Sequence, residues 1–285
     1  NAVNESVLAN NVFDLITARP ELSSFRGLLM LTGYDRVLSS SKNFTVFAPT
    51  NKELENLDTA IIKNPLKLSL FVGNHISQQL YYSNSLSAPA RIQMMNGKYN
   101  NIASGKIEDA AITKADLYAS NGVLHIVDRK VAALDNCWEY ISNSINAPIK
   151  QRAYMLSLFQ KVFDTSHAVI VGIDPNTGDP IYQAGTDSVF TNLFWNKVHD
   201  LRDEKKQYTI FLLQDAAWDA EVNKYKPFFA TTNTDSTTKA ASWAVVKDLS
   251  IEGSFPATSI QDTVLSKFGT KVPVEKLSIV NTIKT

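Results

Sequence analysis

The sequence predicts a mixed fold of helices and short strands, laid out twice along one chain. Three observations predict it. Apolar residues at helical spacing open both halves, an aromatic–threonine–β-branched segment recurs 164 positions on (208 − 44), and an Asn-Gly pair separates two alternating runs. A length of 285 residues agrees, since single domains usually hold roughly 100–200.

The first helical run carries Val7, Leu8, Val12, Phe13, Leu15 and Ile16. Pro20 interrupts it, and a second amphipathic run follows through Leu22, Phe25, Leu28, Leu29 and Leu31 to a stop at Gly33. Phe44-Thr45-Val46-Phe47-Ala48-Pro49 is a β-forming apolar run, expected as a strand with one buried face that Pro49 ends. Thr50 and Glu53 have capping-box spacing, which predicts a helix whose first turn the Thr50 hydroxyl caps. Ala111 to Val131 reads as a hairpin turning at Asn121-Gly122, because a type I′ turn demands two positive φ angles.

The second half repeats the opening with Trp138, Tyr140 and Ile141, a break at Pro148, and a resumed apolar face from Tyr154 to Val162. Tyr208-Thr209-Ile210-Phe211-Leu212-Leu213-Gln214-Asp215 then matches Phe44 to Asn51 by position. This predicts domains at 1–135 and 136–285. Pro148 precedes Tyr208 by 60 positions and Pro20 precedes Phe44 by 24, so the second copy carries about 36 extra residues, placed at about 164–207. The turn-rich Asp174-Pro175-Asn176-Thr177-Gly178-Asp179-Pro180 between Ala168–Gly172 and Ile181–Gln183 predicts an added hairpin there. No counterpart of the Asn121-Gly122 hairpin follows Leu277-Ser278-Ile279-Val280, so the second domain is expected to lack its closing hairpin.

Charge and cysteine content exclude several functions. The chain has 28 Lys+Arg and 28 Asp+Glu; residues 1–135 hold 13 and 12 of them. Neither half has the basic surplus of a nucleic-acid binder. Cys137 is the sole cysteine, so an internal disulfide and a thiolate metal cluster are both excluded. A lone thiol fits a reducing compartment or a secreted bacterial protein. No run of 18 apolar residues predicts a membrane span. Asn1 is not a start residue, and the expectation is that a leader or lipid anchor was lost with the native amino-terminus.

Phe44-Thr45-Val46-Phe47-Ala48-Pro49-Thr50-Asn51 resembles the first signature of fasciclin-like domains, and Ser120-Asn121-Gly122-Val123-Leu124-His125-Ile126-Val127-Asp128 resembles the second. Their separation of about 75 residues suits that family, and Asn74-His75-Ile76 stands where its tyrosine–histidine element would lie. The second half resembles it through the first signature alone, with Leu213 and Gln214 in place of proline and threonine. The resemblance implies an α+β fold, two tandem β-wedge domains with packed helices. It also implies an extracytoplasmic adhesion module, on a cell surface or secreted, without catalytic activity or cofactor. Its partner would be an extracellular protein, matrix or glycan, with a bacterial surface lipoprotein as the expected setting. On this view Thr45, Phe47, Pro49, Thr50, Asn121, Gly122 and His125 are architectural.

For partner contact the candidates are Asn74 and His75, through the tyrosine–histidine element linked in some animal members to integrin-type binding, and Asp174, Asn176 and Asp179 in the added hairpin. Asparagine replaces that element's tyrosine, the second domain has Lys247-Asp248 at the aligned place, and a structural His75 is the competing reading. Arg26-Gly27-Leu28 lacks the aspartate of an integrin tripeptide. The Asp174 segment resembles a calcium loop, but Asp179 holds the position of its glycine and Gly185 that of its bidentate glutamate, so an ordinary turn is expected. Zinc-protease histidine spacing, nucleophile elbows and phosphate loops are absent. The rival functions are a bacterial glycan-binding accessory protein, stacking sugars on Trp195, Trp218, Trp243 or Tyr182, and a hydrolase assembled from distant residues.

Overall fold

The computed structural model of the protein describes residues 9–255, 260 and 263–273. The chain divides into two compact units, Asn1–Leu134 and Asp135–Thr285. Val7 and Leu8, like the Leu277–Val280 segment and whatever closes the second domain, lie outside the described residues.

The first unit opens with α1 (Val12–Thr17), held by a capping box in which Asn11 and Asp14 each accept the other's amide. Pro20 starts a single 3₁₀ turn that leads into α2 (Ser23–Thr32), stopped by Gly33 at φ 76°. After α3 (Tyr34–Leu38) comes β1 (Phe44–Pro49), then α4 (Asn51–Leu54), α5 (Thr59–Ile62) and α6 (Pro65–Gly73), the last capped by Asn64 with Pro65 at its first position. Six strands complete the unit: β2 (Ile76–Ser77), β3 (Ala90–Gln93), β4 (Tyr99–Ala103), β5 (Lys106–Ile107), β6 (Ala110–Ala119) and β7 (Gly122–Val127). They form one seven-stranded sheet in the order β2-β1-β7-β6-β5-β4-β3, in which β1 and β7 alone run parallel.

All six residues of β1 are buried, where one buried face was expected. Phe44, Val46 and Ala48 face a helical core with α1, α2 and α6, while Phe47 faces a second core built from β3, β4, β5 and Val127. Two covered faces give the near-continuous apolar run typical of a parallel pair.

Two local expectations are corrected. Thr50 is the residue before α4, but its side chain makes no capping bond; the Glu53 amide goes to the Thr50 carbonyl at 3.1 Å instead. The neighbouring Asn51 does the capping in trans, accepting from Ser24 N (2.8 Å) and donating to Pro20 O (2.9 Å). The β6–β7 hairpin exists, yet it turns at Ser120-Asn121, since Ala119 pairs with Gly122. Neither Asn121 nor Gly122 has a positive φ, so the turn is not type I′. Asn-Gly serves a packing need there.

The second unit has α7 (Cys137–Asn143), α8 (Ile149–Ser157), β8 (Phe159–Phe163), β9 (Ile170–Ile173), β10 (Pro180–Tyr182), β11 (Ser188–Asn192), α9 (Leu193–Lys197) and β12 (Tyr208–Ile210). It continues with α10 (Asp215–Tyr225), α11 (Thr234–Val246), β13 (Ser250–Glu252), β14 (Thr263–Leu265) and β15 (Lys271–Pro273). The expected strand over Tyr208–Leu213 is only three residues long. It pairs with β13, and among the described residues no strand plays the part of β7, whose parallel ladder extends β1 to Pro49.

Specific side-chain bonds recur in both units. The Asn11–Asp14 capping box returns as Asn136–Glu139. Asn51 accepts from the second amide of α2, and Asp215 from the second amide of α8 (2.9 Å). Thr45 Oγ1 donates to Gln79 O (2.7 Å) and accepts from Tyr81 N (2.9 Å); Thr209 Oγ1 does the same with Gly253 O (2.8 Å) and Phe255 N (3.0 Å). Phe47 N donates to His75 O as Phe211 N donates to Leu249 O. This register aligns Asn74-His75 with Asp248-Leu249, one residue later than the expected Lys247-Asp248.

The added hairpin is longer than expected, starting near Phe159. β8 pairs with β11 as a stem and β9 with β10 as a tip, and a bulge interrupts the tip between Ile181 and Tyr182. An aromatic chain roots the stem. Phe190 stacks on Phe159 at 5.1 Å, and Phe159 meets the edges of Trp138 and Trp195.

Candidate functional site

The signature residues of the first unit are spent on internal bonds. Asn121 is buried; its Oδ1 accepts from Val12 N (2.9 Å), while its Nδ2 donates to Leu38 O (2.8 Å) and Ser40 O (2.7 Å). One amide thus ties α1, the end of α3 and the β6–β7 turn together. Gly122 lies against β1, where a Cβ would overlap the Phe44 carbonyl and stand 2.8 Å from Val12 Cγ2. His125 stacks on Phe47 at 5.3 Å, its Nε2–H donates to Tyr81 O (2.8 Å), and its Nδ1 accepts from Asp116 N (3.3 Å). Burial lowers its pKa from the ordinary histidine value.

Asn74 and His75 are fully buried, which corrects the expectation that they touch a partner. His75 sits between Phe71 and Phe25; Nδ1–H donates to Phe71 O (2.9 Å), and Nε2 accepts from Val131 N (3.0 Å). Desolvation pushes its pKa down to about 4. Asn74 Nδ2 donates to Val131 O (3.2 Å) and Oδ1 accepts from Asn96 Nδ2 (3.0 Å), while Asn100 Nδ2 donates to the Asn74 carbonyl (3.2 Å). Together these groups lash the end of α6 to the chain leaving β7. A low-dielectric interior makes such a fully bonded knot rigid.

Asp174, Asn176 and Asp179 stand together at the exposed tip of the added hairpin. Asp174 Oδ1 accepts from Asn176 N (2.8 Å), Asp174 N donates to Asp179 O (2.8 Å), and Gly178 takes φ 76°. That is a side-chain-closed turn. Among the described residues no group of three histidine, cysteine, aspartate or glutamate side chains is placed to hold a metal ion.

A fasciclin-domain family model matches residues 20–132. The first unit carries a fasciclin domain. Human periostin is 27% identical over 133 residues, 43% of this chain and 16% of periostin. Rabbit transforming growth factor-beta-induced protein ig-h3 is 26% identical over 132 residues, again 43% of this chain and 19% of the relative. The chain therefore spans under a fifth of the length of these curated relatives. A solved FAS1 domain pair from the insect cell adhesion molecule Fasciclin I is 17% identical, covering 44% of this chain and 51% of that one with a TM-score of 0.33.

The polar knot around Asn74 and His75 includes Asn96, Asn100 and the Val131 backbone, none of which sequence reasoning assigned a role. The run Asn96-Gly97-Lys98-Tyr99-Asn100-Asn101 was the available signal, being dense in asparagine beside strand-forming residues.

In the second unit, His199 Nδ1 and Ser250 Oγ lie 2.9 Å apart, the one serine–histidine contact of hydrolase type among the described buried residues. Ser250 is fully buried in β13 and His199 packs on Tyr208, so no substrate carbonyl can reach the hydroxyl. None of the four rings named for sugar stacking is fully exposed. Trp218 is buried, Tyr182 and Trp243 are half-buried, and the half-buried Trp195 is covered by Arg202, 3.6 Å from its ring centroid.

Part of the exposed apolar surface of the second unit lies on the added hairpin, with Ile145, Ile149 and Phe228 exposed elsewhere. Phe163, Ile173 and Phe190 are 68%, 69% and 70% exposed, and Val169, Ile170, Val171 and Ile181 are exposed as well. Contiguous exposed apolar surface on a folded protein marks a contact site.

Proposed function

We propose that the chain is a non-catalytic, extracytoplasmic adhesion module built from two fasciclin-like domains, with the added hairpin of the second as its partner-contacting element. The carrying observation is the division of labour: signature side chains face inward, and an insertion missing from the first domain holds exposed apolar side chains. Adhesion is the use that the fasciclin family suggests, and fold alone does not fix it. The recurring Thr45 and Thr209 bonds support a second fasciclin-like domain. No helix among the described residues is long and apolar enough to cross a membrane.

Cutting the hairpin back tests it. Asp164 N donates to Asp187 O at the top of the stem, so replacing Thr165–Thr186 with a short glycine-containing turn leaves Phe159, Phe190 and their aromatic seat in place. The trimmed protein should keep its tryptophan emission, since all four tryptophans lie in the second unit. Retention on matrix-coated or cell-coated surfaces should fall at least about tenfold, a loss of ~1.4 kcal/mol. Retention equal to the parent's would remove the hairpin from the contact.

A further inference from the structure

We infer that the outer edge of β12 is an acceptor site for one more strand, offered by a partner polypeptide and paired parallel to β12 as β7 pairs with β1. The chemistry of the occupant is that of β7, an apolar extended segment that opens with Asn-Gly. The inference rests on the reading of the second unit as fasciclin-like, and it does not involve the added hairpin.

The two units correspond strand by strand up to a point. β12 pairs antiparallel with β13 as β1 does with β2, and the turn between β14 and β15 repeats the one between β3 and β4. Met94 N donates to Lys98 O (2.8 Å) and Gly97 N to Met94 O (3.0 Å); Ser266 N donates to Thr270 O (3.0 Å) and Gly269 N to Ser266 O (3.0 Å). Gly97 and Gly269 take φ 88° and 75°. Each turn is tied back to the aligned residue, Asn96 to Asn74 and Ser266 to Asp248. There the correspondence stops. Among the described residues of the second unit no strand matches β5, β6 or β7, and β12 pairs with β13 alone.

The unmatched strand leaves specific groups open. Phe211 N donates to Leu249 O and Gly253 N to Gln207 O, so Gln207, Thr209 and Phe211 face β13. Tyr208 and Ile210 therefore aim their backbone groups to the other side. In the first unit that is the side on which Phe44 N donates to Asn121 O at 3.0 Å. Side chains show the same difference. All six residues of β1 are buried, whereas Ile210, Phe211, Leu212 and Leu213 are only partly buried.

The first unit supplies the register. A strand like β7 would set its glycine at Tyr208 and its next five residues at Thr209 to Leu213, as Gly122 to Val127 lie along Phe44 to Pro49. The glycine has the same reason in both places. Cys137, the counterpart of Val12, donates Sγ–H to Tyr208 O at 3.5 Å. The carbonyl and the side chain that bar a Cβ at Gly122 thus both have counterparts beside β12. Strand addition of this kind draws affinity from backbone bonds and selectivity from alternate side chains.

Fluorescence anisotropy of a dye-labelled peptide with the sequence of Ser120 to Asp128 tests the inference on the whole chain, with no matrix or cell present. The peptide should bind with a Kd at or below about 100 µM, and the same peptide carrying Gly122→Val should bind at least about tenfold more weakly. Absence of binding at ~1 mM overturns the inference, as does equal binding of the two peptides. In the protein, Ile210→Pro removes an outward amide and spares the bonds to β13, a place where an edge strand tolerates proline. It should cut binding at least about tenfold while tryptophan emission stays unchanged. Undiminished binding to Ile210→Pro would put the peptide elsewhere and sink the site. Where the proline disturbs folding and shifts the emission, the comparison of the two peptides on the parent protein decides. Retention of the hairpin-trimmed protein on coated surfaces is read separately, so failure of one reading leaves the other standing.

Discussion

Gly122→Ala should destabilise the fasciclin domain by at least about 3 kcal/mol, or prevent its folding. The new methyl would occupy the space of the Phe44 carbonyl, a backbone atom with no rotamer to move to, and crowd Val12 from the other side. Relief requires β7 to move away from β1, which breaks the parallel ladder from Phe44↔Gly122 onward and opens both cores at once. Gly27→Ala is the control. Gly27 lies within α2 with nothing within 4 Å of an added Cβ, so alanine should be neutral or stabilising by up to about 1 kcal/mol. Urea titration followed by far-ultraviolet circular dichroism reads both units, and tryptophan emission, which comes from the second unit alone, separates the first unit's transition by difference. Equal midpoints for the two variants would show that strand contact at Gly122 is not what the position provides.

Acid should destabilise the same domain through His75. Its pKa is about 4 in the folded protein, from burial, against 6.5 for the ordinary side chain. Above pH 6.5 the ring is neutral in both states and the full stability is present. As pH falls from 6.5 towards 4, the unfolded chain takes up a proton that the folded chain refuses, and stability drops by about 3 kcal/mol before levelling off. His125, also lowered by burial, pulls in the same direction. The measurement is the urea midpoint against pH for the parent and for His75→Leu. The variant loses the bond to Val131 N and should be less stable at pH 7, but most of its slope between pH 6.5 and 5 should vanish. A parent profile that is flat over this range would contradict the buried, neutral ring.

Legibility in the sequence followed the range of the forces involved. The strand Phe44–Pro49 and the stop at Gly33 are set by local pattern and local stereochemistry, and the structure places them where the residues predict, whereas the helical face expected over Tyr154–Val162 is a helix over Ile149–Ser157 that gives way to a strand at Phe159. Asn121-Gly122 was read for its turn chemistry, and the hairpin is there. The reason for the pair lies elsewhere, in Val12, Leu38 and Phe44, which reach it from segments about 80 to 110 positions away. Thr50 misled for the same reason: capping spacing is local, while the side chain that caps a helix at this corner, Asn51, caps one 27 positions upstream. Asn74 and His75 are polar and read as reachable, yet burial is a property of packing that spacing does not encode. The added hairpin was visible through its turn residues, but its stem was not. Phe159–Phe163 continued the helical apolar pattern of α8 and reads as strand only once Ser188–Asn192 is known to lie beside it.

Amide hydrogen exchange at pH 7 tests most directly whether the signature side chains are internal fastenings. Val12, Tyr81 and Val131 each donate their amide to a side chain, those of Asn121, Thr45 and His75, and none of the three amides belongs to a strand ladder. All three should exchange as slowly as the amides of β1 and β7, and Phe255, held by Thr209, should be protected likewise in the second unit. Exchange of these four at the rate of open loops, with β1 and β7 still protected, would mean that the motif residues are free to face a partner.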